Sequence, residues 1–177
     1  MTSFNANELC AAAKELGFFE ASFKDAQNVK VRDEIRAICG NGRCKNYGTN
    51  WLCPPGAPST DECRAIVSSY SGAFVLLTKK VIDKSCDFER EMREHNAKIY
   101  AFCELLKGAS SERLILSTGA CELCPECAYP EKCRHPDRHR ESLCAFGIDA
   151  AELCAAFGID YRFVADELNL VGVVLLK

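Results

Sequence analysis

Cys121-Glu-Leu-Cys124-Pro-Glu-Cys127-Ala-Tyr-Pro-Glu-Lys-Cys133-Arg-His-Pro136 gathers four thiols in one short run. Cys121, Cys124 and Cys127 are each separated by two residues, so a tight turn can aim their sulfurs at one point, and Cys133 follows after five more. Prolines at 125, 130 and 136 interrupt both helical and strand periodicity, which makes the run a loop organised by something other than a backbone ladder. Soft thiolate ligands at this density bind metal. The rest of the chain therefore has to supply a scaffold that presents this loop.

Two metal chemistries compete for these thiols. Iron-sulfur proteins of the ferredoxin type use C-x2-C-x2-C-x3-C-P. Here the first three positions agree, two residues are added before the last cysteine, and the proline is delayed to Pro136. Zinc favours two pairs of ligands on separate knuckles, and three cysteines on one knuckle fit that pattern less well. Thiolates also hold zinc tightly, so spacing leaves both open, with an iron-sulfur cluster as the first expectation.

A second thiol group precedes the first: Cys39-Gly-Asn-Gly-Arg-Cys44, then Lys-Asn-Tyr-Gly-Thr-Asn-Trp-Leu-Cys53-Pro-Pro. Gly40, Gly42, Gly48 and Gly56, with Pro54, Pro55 and Pro58, exclude regular structure here as well. Cys39, Cys44 and Cys53 supply three ligands, and Cys63 is the candidate for a fourth. Ser59 and Glu62 predict a capping box that puts Cys63 in a helix's first turn, where the dipole favours a thiolate. The competing reading buries Cys63 in the core, and three thiolates alone would leave one iron open, as a catalytic cluster requires. Tyr47 and Trp51 read equally as core aromatics or as a shield around a cluster, whose potential depends on exposure. Cys10, Cys103, Cys144 and Cys154 read as small apolar side chains packed on helices, and Cys86 as a helix-start or surface thiol.

The periodic segments alternate. Asn5 or Asn7 caps a helix whose apolar face carries Leu9, Cys10, Ala13 and Leu16, and Gly17 stops it. Residues 18–23 read as a strand and 31–38 as a helix. A capped helix over 59–70 then precedes a continuous apolar run at 72–82, the signature of a strand buried on both faces. Phe88, Met92, His95, Ile99, Phe102 and Leu106 predict a long amphipathic helix closed by Gly108, with His95 as a core or boundary histidine. Residues 113–117 form a strand that feeds the thiol run through Gly119. Arg140–Ala145 reads as helical, Asp149–Phe157 as a capped helix ended by Gly158, and 168–176 as the last strand. This order predicts a single layered α/β (or α+β) domain over 1–177. It has a roughly four-stranded sheet flanked by helices, and its cysteine loops, about 39–63 and 119–136, lie at one end.

Thirteen cysteines in 177 residues force a choice between a disulfide scaffold and a thiol-metal protein. The odd count leaves one unpaired in a scaffold, and residues 1–7 have neither the basic segment nor the apolar run of a secretory signal. A reducing cytoplasm is the expectation. A net charge of −3 gives no nucleic-acid footprint, and no apolar run reaches bilayer length. One local exception is the basic group Lys132, Arg134, Arg138 and Arg140, with His135 and His139, interleaved with Glu131, Asp137 and Glu141. It reads either as a solvated loop that balances an anionic cluster or as a docking patch for an acidic partner or a small anionic ligand.

The motif from Cys44 through Trp51 to Cys53-Pro54-Pro55, together with Gly119-Ala-Cys121-Glu-Leu-Cys124-Pro-Glu-Cys127 and Cys133-Arg134-His-Pro136, resembles a family of metal-binding proteins of prokaryotes, many of them anaerobes, known as domain of unknown function 2284. The resemblance implies metal binding at Cys39, Cys44, Cys53, Cys121, Cys124, Cys127 and Cys133, and Cys63 lies outside the positions it carries over. Three functions follow. The first is a redox protein with two 4Fe-4S clusters that passes single electrons to a partner protein; the absence of phosphate-binding loops, catalytic triads and dinucleotide fingerprints agrees with it. The second is an enzyme that offers an open iron to a small substrate. The third is a zinc-stapled interaction module whose metal contributes only folding free energy.

Overall fold

Two long strands carry the architecture. β1 (Glu20–Asp25), β2 (Gly72–Val81), β3 (Arg113–Ser117), β4 (Glu141–Ser142) and β5 (Glu167–Leu176) form a five-stranded sheet in the order β1-β2-β5-β3-β4. The central pair, β2 and β5, runs antiparallel, with Gly72 opposite Leu176 and Val81 opposite Glu167. β1 and β3 flank them antiparallel, and β4 adds a short parallel pairing outside β3. The computed structural model describes residues 4–107, 112–136 and 140–177.

Because successive strand residues point to opposite faces, the apolar run of β2 is divided between two cores. Ala73, Val75 and Leu77 join Val171, Val173 and Leu175 under the helices α3 (Thr60–Ser68) and α5 (Ala150–Phe157). Phe74 and Leu76 join Val174 and Leu176 under α1 (Ala6–Glu15) and α4 (Phe88–Leu105). Both faces are covered, which is why the run needs no polar alternation. On the α4 side the packing reaches the backbone: a Cβ at Gly172 would stand 2.4 Å from Ile99 Cδ1. Only glycine lets α4 lie this close to β5.

The expected caps are present. Asn5 accepts from the amides of Asn7 and Glu8, Ser59 and Glu62 form the reciprocal capping box, and Asp149 accepts from Glu152. α4 ends with Leu106 as its cap, and Gly108 lies outside the described residues. His95 is fully buried, as expected of a core histidine, and bonds Thr78 Oγ1 through Nδ1 at 2.8 Å, while its Nε2 is buried without a hydrogen-bond partner. Two expectations are corrected. The sheet has five strands, and the segment predicted as a helix over Arg140–Ala145 is instead β4 followed by a turn. The open edge of β3 explains this: Leu116 and Ser117 pair with Glu141 and Ser142, and the Ser117 carbonyl takes the Leu143 amide at 3.1 Å. A two-residue strand is too short to leave a periodic signal. No helix among the described residues is long and apolar enough to cross a membrane.

Candidate metal centre

Both thiol loops leave the layered scaffold where regular structure ends. The first begins at the last residue of the short helix α2 (Asp33–Cys39) and runs to the capping box of α3. The second begins where β3 stops. There Thr118 bonds the Val171 carbonyl at 3.0 Å, and Gly119, at φ +89°, turns the chain beneath Met92. Since β4 returns beside β3, the second loop starts and finishes at neighbouring points of the sheet edge.

Cys121, Cys124, Cys127 and Cys133 of the second run line one recess, together with Leu123, Ala128, Arg134 and His135. Burial raises the Cys121 thiol, the Leu123 amide and the Arg140 guanidinium oppose it, and the charges of Cys127 and Cys124 raise it further. The His135 amide donates to Cys133 Sγ at 3.4 Å. Such N–H donors to sulfur stabilise a thiolate and tune any cluster it holds.

In the first loop Cys39 and Cys53 are buried, Cys44 is half-buried, and all three lie within electrostatic reach of one another. Burial raises Cys39 most, with Cys44 adding to it and Arg36 opposing. Burial likewise leads at Cys53, where a hydrogen bond from Asn50 opposes the charges of Cys44, Cys39 and Cys144. Thiols held this close repel one another as anions, a repulsion that a bound cation would relieve while displacing their protons.

Cys63 is placed elsewhere. It is 0% exposed, belongs to the core under α3, and its Sγ faces the Pro58 carbonyl at 3.7 Å. Burial pushes its thiol up to about 11, and the charged groups around it are Arg36, Glu141, Glu62 and Arg64, with no thiol among them. Cys103 and Cys154 are core thiols, as expected, pushed up by burial to about 11 and about 12.

Cys144 was read from sequence as a helix-packed thiol, yet it stands beside the first loop. Its surface is exposed, while dense surroundings on its other side raise the thiol, followed by the charges of Cys39 and Cys44. Arg36, one turn before Cys39, donates to the carbonyls of Ala145 and Ala57, and the Arg32 amide bonds the Gly147 carbonyl at 2.7 Å. In Leu143-Cys144-Ala145-Phe146 the neighbours of Cys144 are all buried and it alone faces out, a placement that no local pattern in the sequence marks. Gly147 sits at φ +72°, and a Cβ there would meet the Arg32 carbonyl oxygen at 2.6 Å. Gly147→Ala should therefore cost about 1–3 kcal/mol in urea unfolding. An unchanged midpoint would show that this junction is unconstrained.

The two loops clasp each other. Trp51 Nε1 donates to the Glu131 carbonyl at 2.9 Å, and its ring meets Tyr129 edge to face at 5.0 Å. A Cβ at Gly56 would meet Tyr129 at 2.9 Å, so the contact depends on glycine there. Trp51 is half-buried and bridges the loops, a role outside the two sequence readings, and Tyr47 is exposed and so not a core aromatic. In the basic group, Arg134 is exposed and donates to the Glu126 carbonyl. Arg140 is 3% exposed, donates to the Ala120 carbonyl and lies 3.9 Å from Glu122. Arg138 and His139 lie outside the described residues. Among the described residues no three Cys, His, Asp or Glu side chains stand at the separations of a preformed single-ion site. The donors are four thiols around one recess and three beside Cys144, a set chemically suited to a thiolate-ligated metal.

The family of predicted metal-binding proteins described as DUF2284 matches residues 24–176. The chain belongs to this family. The DUF2284 match takes in both thiol loops, their clasp and the segment of Cys144, and it begins within β1, after α1. No curated protein and no solved structure matches this DUF2284 chain.

Proposed function

We propose that this DUF2284 protein holds two 4Fe-4S clusters, one in each cysteine loop, and passes single electrons between a donor and a partner protein in a reducing cytoplasm. The observation that carries this reading is the second run: three cysteines at two-residue spacing and a fourth, all lining one recess. A bound cluster supplies reversible one-electron chemistry. Cys121, Cys124, Cys127 and Cys133 would hold it in the second loop, and Cys39, Cys44 and Cys53 would be three of the ligands in the first. The His135 amide on Cys133 and the Asn50 contact to Cys53 favour the more negative reduced state, and so raise the potential. Trp51 and Tyr129 join the loops through an edge-to-face contact and so fix the two cysteine groups relative to each other. The half-buried thiols Cys44, Cys121, Cys124, Cys127 and Cys133 would give electrons short routes to a docked partner.

One observation favours a second reading. An open cavity of about 500 Å³ lies between the loops, where Lys45 and Asn46 face Phe88 and Arg93 of α4, with Cys121 and Cys124 on its wall. Glu89 and Glu122 also line it and balance Lys45 and Arg93, so a small polar substrate that offers both an acceptor and a donor would sit against the second cluster.

Protein prepared without oxygen should be brown and carry about eight iron and eight sulfide per chain, with a paramagnetic signal on reduction. Colourless protein bearing stoichiometric zinc, after growth with ample iron and sulfide, would overturn the electron-carrier reading. A reduced-state signal perturbed by small carboxylates or phosphate would favour the enzyme.

A further inference from the structure

We infer that Cys144 is the fourth ligand of the first metal site, and that Cys63 is not a ligand. The inference rests on the reading of a metal in the first loop and completes it.

The first loop contributes Cys39, Cys44 and Cys53, and its completion decides whether that metal is closed or open to a substrate. Cys63 is near in sequence but faces the wrong way. It is the first-turn residue of α3 that packs under the sheet with Val67, and its sulfur meets a backbone carbonyl. For Cys63 to ligate, α3 would have to rotate its buried side outward. Cys144 is 91 residues beyond Cys53 in number but is brought to the loop by three contacts of α2. Arg36 holds the Ala145 carbonyl from the turn before Cys39 and also reaches the Ala57 carbonyl, whose own amide bonds the Cys53 carbonyl at 3.1 Å. Arg32 holds the Gly147 carbonyl, and its side chain pairs with Glu152 of α5. Thus Ala145 and Gly147 are fastened to the helix that ends in Cys39, and Cys144 is the side chain these anchors leave directed away from the core. Cys144 is thereby brought within electrostatic reach of Cys39, Cys44 and Cys53.

A site completed by Cys144 has four thiolates and no open iron. It also staples the segment after β4 to the loop between α2 and α3, two parts of the chain joined by no pairing of strands. The first site is then a closed electron carrier, and substrate chemistry, if any, belongs to the cavity beside the second.

The test compares full-length parent, Cys144→Ala and Cys63→Ala, each reconstituted without oxygen from ferrous iron and sulfide. Cys144→Ala should lose about half of the iron and sulfide, or retain a three-iron remnant with a new oxidised-state resonance. Cys63→Ala should match the parent in iron content and spectrum even if its core is less stable. Full content and an unaltered spectrum in Cys144→Ala, or loss of half the iron in Cys63→Ala, would overturn the assignment. A parent that takes zinc and not iron defeats the electron-carrier reading alone. The ligand assignment is then read from zinc content, falling from about two to about one only in Cys144→Ala. A parent that binds neither metal overturns both.

Discussion

Removing the metal without oxygen should dissolve both cysteine loops and leave the sheet folded. Between α2 and α3, and between β3 and β4, the described backbone has turns and isolated hydrogen bonds, such as Gly48 to Pro54 at 2.8 Å and Glu131 to Ala128 at 2.7 Å, but no α-helix or strand. Ordering each loop residue costs about 1–2 kcal/mol of backbone entropy, and the loops bury few large apolar side chains of their own, Leu52 foremost. Metal ligation has to offset that cost, and structural metal sites contribute on the order of 10 kcal/mol. The sheet has both of its cores and no thiol ligand, so it keeps its order. Hydrogen exchange should accelerate across 40–58 and 119–135 after chelation while β2 and β5 remain protected. Trp51, the one tryptophan of the chain, reports the same event: released from Tyr129 and Glu131, its emission should shift to longer wavelength and brighten. Loops that stay protected, or strands that melt with them, would show that metal is not what orders this end of the molecule.

The division between what the sequence discloses and what it hides follows the same boundary. Strands β2 and β5 and helix α4 are legible because a buried run and a repeating apolar stripe are imposed by packing on the chain itself. The capping residues are legible because Ser59 with Glu62 and Asp149 with Glu152 act over three residues. The thiol run from Cys121 to Cys133 is legible for the same reason, since its cysteines are neighbours in sequence. Cys144 is not. Its position depends on Arg36 and Arg32 grasping carbonyls more than a hundred residues away, and no local pattern records such a contact. Cys63 shows the converse: its sequence position suits a helix N-terminus, and of the two readings this leaves open the amphipathic face of α3 gives the buried one. The clasp of Trp51 on Tyr129 is likewise a long-range fact, visible only once the loops share one end of the sheet.

Two buried titratable groups should give this protein nearly opposite pH responses that cancel over a defined window. Burial, opposed by the Val171 backbone, lowers His95 from 6.5 to about 3. Its depressed value means that the unfolded chain takes up a proton below 6.5 that the folded protein refuses, so this stability is present above 6.5 and lost as pH falls towards 3. The full excursion is worth about 5 kcal/mol at 1.36 kcal/mol per unit. Glu141 is shifted the other way: burial raises its carboxyl from 4.5 to about 7, against the pull of Arg140. Its raised value means that stability is present below 4.5 and lost as pH rises through 7, in total about 3 kcal/mol. Between pH 4.5 and 6.5 the two slopes oppose each other. His95→Gln should uncover the Glu141 slope, so that its stability relative to the parent declines by about 1.4 kcal/mol for each unit of rising pH across that window. Glu141→Gln should do the reverse, gaining on the parent by a similar increment per unit. Urea unfolding of parent and variants at matched metal content isolates these differences, because thiolate ligation contributes equally to both members of each comparison. Variants whose stabilities run parallel to the parent from pH 4.5 to 7 would mean that neither group keeps its buried neutral form in the folded protein.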